Sequence, residues 1–117
     1  MNQKTRTRWR NKCDALWYQI QHQRWKSCAV CGSPAVEIHH LIRKAHSITR
    51  TELMNGFGLC IEHHKGSELS PHGTPEAFEE WLRDNRPETY YWLKHNRYKV
   101  GRVDWKERHQ VLKNEYD

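Results

Sequence analysis

Apolar residues recur at helical spacing near the start of the chain. Between residues 9 and 25 they fall three or four positions apart, with polar and basic side chains on the other face. This spacing predicts an amphipathic helix whose apolar stripe faces a core. Cys13 lies in that stripe, so we interpret it as a buried thiol rather than a metal ligand. Residues 1–8 are polar and basic, and we expect them to be disordered until a partner binds.

The next apolar stretches are short and rich in β-branched residues. AVEIHHLI, residues 35–42, predicts a first strand, and GFGLC, residues 56–60, predicts a second. The polar segment 43–55 connects them, and IEHHKG, residues 61–66, predicts the first turns of a helix. This part of the chain is therefore a predicted β-hairpin followed by a helix.

The remaining third predicts helices. One starts at Thr74 as cap with Pro75 in the first position, a second follows Pro87, and a weaker one begins at Asp104. The fold class predicted is α+β and mostly helical. We divide the chain into a basic segment with a helix, a central core and a helical extension, all within one compact domain: residues 1–25, 26–68 and 69–117.

Composition points to stabilisation by something other than aliphatic packing. The chain has 117 residues, of which only 36% are apolar, and a mean hydropathy of −1.09. The candidates are the aromatic residues, six tryptophans and five tyrosines, and a bound metal. The formal charge of +6 favours a polyanionic partner, with nucleic acid as the first choice.

Nothing in the sequence predicts a membrane protein. There is no apolar run of membrane-spanning length, and the N-terminus lacks the apolar segment of a signal peptide. We therefore expect a cytoplasmic protein, in which cysteines are metal ligands or buried thiols rather than disulfides.

Two pairs of ligand residues flank the predicted hairpin. Cys28 and Cys31 precede it, Cys60 and His63 follow it, and each pair is separated by two residues. Such spacing lets both members of a pair reach one tetrahedral ion, so the set predicts a closed structural Zn²⁺ site. The alternative is that the cysteines are small buried residues and that His63 lies on the surface.

A second group of residues is left over. His64 points about 100° around the helix from His63, His39 and His40 are adjacent on the first strand, and Asn55 begins the second. Adjacent strand residues point to opposite faces, so a bulge or strong twist is needed for both histidines to reach one substrate.

These motifs resemble those of the HNH endonuclease family, with its ββα-metal core and treble-clef zinc site. The resemblance covers about residues 26–68 and is carried by these segments: CAVCG (28–32), VEIHHLI (36–42), NGFGLC (55–60) and CIEHH (60–64). His63 stands where the family has its last zinc-binding cysteine. The flanking helices are similar, less specifically, to those of small phage and prophage HNH proteins.

The resemblance implies a role for each residue of the second group. His40 matches the general base, and Asn55 matches the residue that braces the connecting loop and orients that base. His39 and His64 match ligands of the catalytic divalent ion. We leave open whether Glu68 or His72 supplies a third ligand, and whether the ion is Mg²⁺, Mn²⁺ or another transition metal.

The function expected is that of a metal-dependent DNA endonuclease or nickase. Four basic residues near the proposed site are candidates to grip phosphates of double-stranded or branched DNA: Arg43, Lys44, Arg50 and Lys65. A single site cuts one strand at a time, so a double-strand break needs a homodimer or two nicks.

Two other functions remain open. The first is a catalytically inactive, zinc-stabilised nucleic-acid-binding module, or an accessory protein that partners phage recombination or packaging machinery. The second is a protein-interaction adaptor that uses the aromatic segment WLKHNRYKVGRVDW, residues 92–105. The joint presence of His39, His40, Asn55 and His64 favours the enzyme over both.

Overall fold

The computed structural model describes residues 1–116; Asp117, the last residue of the expected extension, lies outside them. The fold is α+β, with more than half of the residues helical and one two-stranded antiparallel sheet. The elements in chain order are α1 (Gln3–Arg24), β1 (Glu37–His40), a 3-10 turn (Leu53–Asn55), β2 (Gly56–Leu59), α2 (Ile61–Lys65), α3 (Pro75–Asn85), α4 (Pro87–Asn96) and α5 (Trp105–Tyr116). Within residues 1–116, no helix is long and apolar enough to cross a membrane.

The first helix begins earlier than the hydrophobic pattern predicts. It starts at Gln3, where the Asn2 side chain accepts a hydrogen bond of 2.9 Å from the Thr5 N–H. The prediction of disorder is therefore wrong for residues 3–8. Their helicity comes from this cap and from continuity with the amphipathic turns, because the first buried side chain of α1 is Cys13.

The hairpin packs closely against α1. Its register pairs Glu37 with Leu59 and His40 with Gly56 without interruption. A Cβ added to Gly56 would overlap the Gln21 side chain. A larger residue at this position would have to displace the Gln21 amide, which donates a hydrogen bond to the Leu53 carbonyl. The bulge expected near the two strand histidines does not occur in this register.

The C-terminal helices complete two apolar clusters. Phe78 of α3 and Leu93 of α4 join Phe57 of the sheet in one cluster. In the other, α5 packs on α1, and the Cys13 thiol donates a hydrogen bond of 3.2 Å to the Trp105 carbonyl. Cys13 is fully buried, as expected.

Of the two helix caps expected from the sequence, Asp104 and Thr74, only the first forms a capping hydrogen bond. Asp104 caps α5 by accepting a hydrogen bond from the Glu107 N–H. Pro75 opens α3, but the Thr74 hydroxyl accepts from the Ser70 N–H in the preceding loop and does not cap the helix. Thr74 instead holds that loop in place, and the loop carries a residue of the candidate site.

Candidate active site and metal centres

Four predicted zinc ligands meet at the end of the sheet where β1 begins and β2 ends: Cys28, Cys31, Cys60 and His63. Their ligand atoms all lie within 4.8 Å of one another. The Cys31 and Cys60 Sγ atoms are 3.7 Å apart, and His63 Nδ1 lies 3.2 Å from Cys60 Sγ and 3.8 Å from Cys28 Sγ. Tetrahedral Zn²⁺, with bonds of ~2.3 Å to sulfur and ~2.0 Å to nitrogen, requires separations of roughly 3.5–3.8 Å. This Cys3His cluster could therefore hold a zinc ion.

The turn between the first two cysteines prepares them as ligands. Gly32 adopts a φ of +79°, which glycine tolerates best, and its N–H donates to the Cys28 carbonyl. Burial raises the pKa of the Cys28 thiol, but main-chain hydrogen bonds, including one from the Val30 N–H, outweigh it and lower the pKa to about 6. These hydrogen bonds therefore favour the Cys28 thiolate, which is the form that binds a metal.

A second group, called here the histidine triad, consists of His39 of β1, His64 of α2 and His72 of the following loop. Its ligand nitrogens also lie within 4.8 Å of one another, and His39 Nδ1 is 3.2 Å from His64 Nε2. His72 is exposed, whereas the His64 side chain is only 11% exposed. Burial, followed by the proximity of His64, lowers the pKa of His39 to about 3. At neutral pH the His39 ring is neutral and has a lone pair available to a metal ion.

Glu37 orients one ring of the histidine triad. Its Oε1 lies 2.8 Å from His64 Nδ1, so the carboxylate accepts the Nδ1–H and leaves Nε2 facing His39. The hydrogen bond with His64 lowers the pKa of Glu37. A carboxylate behind a histidine is the arrangement that fixes metal-binding imidazoles in proteins. The triad and its supporting carboxylate therefore fit a divalent metal ion.

The loop after α2 folds back to deliver the third histidine. The His72 N–H donates to the His64 carbonyl at 3.4 Å, and the buried Ser70 hydroxyl donates to the Gly66 carbonyl at 2.6 Å. At the crossing, a Cβ on Gly73 would overlap the Gly66 carbonyl oxygen, so only glycine fits. The loop brings His72 to the triad; Glu68, the other candidate, is not part of this group.

His40 points away from the triad, towards α1. Its ring stacks on buried Trp17, with centroids 4.1 Å apart and planes 21° apart, and meets the Tyr18 ring edge-on at 5.7 Å. The Trp17 indole N–H donates to the Glu52 carbonyl, which fixes the stacking surface. His40 is the last residue of β1. At the end of a strand, side chains from both of its faces can reach the same cleft. This end position, rather than a bulge, lets His39 and His40 line one cleft.

The surroundings of His40 keep its ring unprotonated. Burial, and then the positive charge of Lys44, lower its pKa to about 4, while a hydrogen bond with the Arg50 main chain acts in the opposite direction. The ring is therefore neutral at pH 7 and able to accept a proton.

Asn55 joins the two ends of the loop between the strands. Its side chain is fully buried, accepts from the Ile42 N–H at 2.7 Å, and donates to the carbonyls of Ile42 and Thr49 at 3.0 Å each. This bracing of residues 41–55 agrees with the sequence expectation for Asn55. The side chain does not touch the cleft, so any effect on His40 passes through the loop.

The basic residues expected near the site divide into two classes. Arg43 and Lys44 line the cleft of about 470 Å³ that also contains the histidine triad and His40. Arg50 is held elsewhere, since its guanidinium forms two hydrogen bonds of 2.7 and 2.9 Å with the Asp14 carboxylate. Lys65 is exposed on α2 and does not line the cleft.

Three residues of the site were not found from the sequence. Glu37 could have been, because it precedes His39 by two positions on one strand and so shares its face. Trp17 and Arg97 had no such signal, since each reaches the cleft or His40 only through helix packing.

Comparisons of the chain with models of protein families, with curated proteins and with solved structures gave no match.

Proposed function

We propose that this protein is a metal-dependent DNA endonuclease of the HNH type, which nicks DNA by hydrolysing one phosphodiester bond with His40 as general base. One observation supports this most strongly. A closed Cys3His cluster coexists with an open histidine triad, and the triad shares its cleft with His40. A module that only binds nucleic acid needs the first cluster and has no use for the second.

The triad has the ligands for a divalent transition-metal ion. Three imidazoles, one of them exposed, leave coordination positions for phosphate and water. When bound there, such an ion supplies Lewis-acid stabilisation of the phosphate oxygens. Imidazole ligands suit Ni²⁺, Zn²⁺ or similar ions better than Mg²⁺, which prefers oxygen ligands. We therefore expect cleavage to be supported better by a transition metal such as Mn²⁺ or Ni²⁺ than by Mg²⁺.

His40 would take a proton from the attacking water. The Trp17 ring beneath it and the Arg50 main chain beside it restrict its orientation. Its low pKa leaves the ring free of a proton, and a bound phosphate would raise that pKa towards neutrality because negative charge favours the protonated imidazole. Arg43 and Lys44 would hold the phosphates that flank the cut.

The test is nicking of supercoiled plasmid by the zinc-loaded protein with Mg²⁺, Mn²⁺, Ni²⁺ or a chelator. His40→Ala should lose roughly a hundredfold or more of the activity, the usual contribution of a general base. His22→Ala is the matched control, since His22 is exposed on α1 and lies outside the cleft; it should nick like the wild type.

Circular dichroism and zinc content should be the same for all three proteins. Cleavage that needs the ion and disappears only in His40→Ala supports the proposal. A folded, zinc-loaded wild type that cuts no DNA with any of these ions would refute it, as would equal cleavage by wild type and His40→Ala.

A further inference from the structure

The loop between α4 and α5 presents two unusually exposed apolar side chains. Tyr98 is 81% exposed and Val100 is 86% exposed, the highest values among the large hydrophobic residues described. Isolated apolar residues on a surface are normal, but here the exposed aromatic ring lies in a segment of like charges. Residues 94–102, KHNRYKVGR, carry four Lys or Arg residues and no acidic residue.

Contacts on both sides of Tyr98 fix the loop, so the ring is held in solvent by an ordered main chain. The Lys99 N–H donates to the Asn96 carbonyl at 3.1 Å. A Cβ on Gly101 would lie 2.9 Å from the Ile48 side chain, which places this loop against the loop between β1 and β2. Val103 then packs into the cluster between α1 and α5.

The same loop adjoins the cleft. Arg97, the residue before Tyr98, lines the cleft together with the histidine triad. Arg97 and Lys94 each form an ion pair of 2.9 Å with Glu79, another cleft residue. In the part of the chain that the structure describes, Lys99 and Arg102 form no ion pair, so their charges remain available to a partner.

We propose that residues 97–102 bind an unpaired stretch of the DNA substrate next to the cleft, with a base stacked on Tyr98 and phosphates held by Lys99 and Arg102. An exposed aromatic ring flanked by cations is the arrangement with which proteins hold single-stranded nucleic acid. Bases inside a continuous duplex are stacked on each other and offer no free face. The inference rests on the proposed function for its substrate, and it adds a preference for DNA with a single-stranded part.

The test compares binding of one labelled DNA sequence as a single strand, a blunt duplex and a duplex with a single-stranded tail. Affinity is measured by fluorescence anisotropy with no divalent ion added to the zinc-loaded protein, so that nothing is cut. Tyr98→Ala should weaken binding of the single strand and the tailed duplex roughly fivefold or more, and that of the blunt duplex much less. Tyr98→Phe, which keeps the ring, should bind like the wild type.

The charged residues are tested by a double variant, Lys99→Ala with Arg102→Ala. It should lower the salt dependence of single-strand binding by roughly 0.7 for each phosphate that the protein no longer neutralises. The matched control removes the same charge from exposed positions of α5, Lys106→Ala with Lys113→Ala, and should change this slope less.

The outcomes separate this inference from the nuclease itself. Unchanged binding by Tyr98→Ala, equal weakening for all three DNAs, or equal effects of the two double variants would each overturn it. A wild type that binds no DNA would overturn it too. If the wild type nicks plasmid but Tyr98→Ala binds normally, only the inference fails. If Tyr98→Ala shows the selective loss but the wild type cuts nothing, only the nuclease proposal fails.

Discussion

Replacing Asn55 with alanine tests the link between the buried core and the loop that carries the basic cleft residues. The substitution removes three hydrogen bonds, to Ile42 N–H, to the Ile42 carbonyl and to the Thr49 carbonyl. Both partner residues are buried, so these groups cannot turn to water instead. Each buried polar group left unpaired costs about 1–3 kcal/mol. The Thr49 carbonyl keeps the Glu52 N–H as a donor, so two groups lose their partner, the N–H and the carbonyl of Ile42. Even at the lower end the loss is about 2 kcal/mol, a large part of the stability of a small domain.

The assay is thermal unfolding of the zinc-loaded protein, followed by circular dichroism. For a domain of this size, a loss of 1 kcal/mol lowers Tm by about 4 °C, so a fall of roughly 8 °C or more is expected. Asn85→Ala is the control, because Asn85 is exposed and makes one hydrogen bond, to the Trp81 carbonyl of its own helix. If Asn55→Ala melts within a few degrees of this control, the bracing role assigned to Asn55 is wrong.

Three further predictions concern the ligands and the cleft. Metal analysis of wild type purified without added metal should find about one tightly bound zinc per chain. Cys60→Ala should lose this zinc and unfold, because the free energy of zinc binding contributes directly to folding in such sites. An unchanged melting temperature of this variant would refute the zinc assignment. His64→Ala should keep its fold and its zinc but lose the binding of Co²⁺ or Mn²⁺ at the triad, measured by titration calorimetry. Glu37→Gln should weaken that binding roughly tenfold or more. If His64→Ala unfolds, His64 rather than His63 is the zinc ligand. Lys44→Ala should weaken DNA binding without changing Tm, whereas Arg50→Ala should lower Tm because it breaks the ion pair with Asp14. If Arg50→Ala instead weakens DNA binding and leaves Tm unchanged, Arg50 is a DNA contact.

Local patterns predicted the elements well because their signals are themselves local. The hairpin, the helix at Ile61 and the proline-led helices α3 and α4 follow from strand periodicity and from positions where proline is tolerated. The start of α1 was missed because hydrophobic periodicity reports only the buried turns. The cap that extends the helix to Gln3 is a single hydrogen bond of Asn2.

The candidate site was predictable where ligands are close in sequence. The two ligand pairs follow from their spacing. Helix geometry places His63 and His64 in different clusters, since adjacent residues of a helix point about 100° apart. The choice of His72 over Glu68 depends on a loop crossing at Gly73, and the stacking of His40 on Trp17 depends on how α1 packs on the sheet. Such contacts between distant residues leave no periodic trace in one sequence.

Chemical rescue is the sharpest test that His40 removes the proton from the attacking water. His40→Gly leaves a gap above the Trp17 ring that free imidazole can enter, whereas His40→Leu fills it. Plasmid nicking with Mn²⁺ is measured for both variants and the wild type, with and without imidazole. We expect His40→Gly to be inactive alone and to regain nicking with imidazole, while His40→Leu stays inactive. Wild-type rates for His40→Gly without imidazole would show that His40 is not the base.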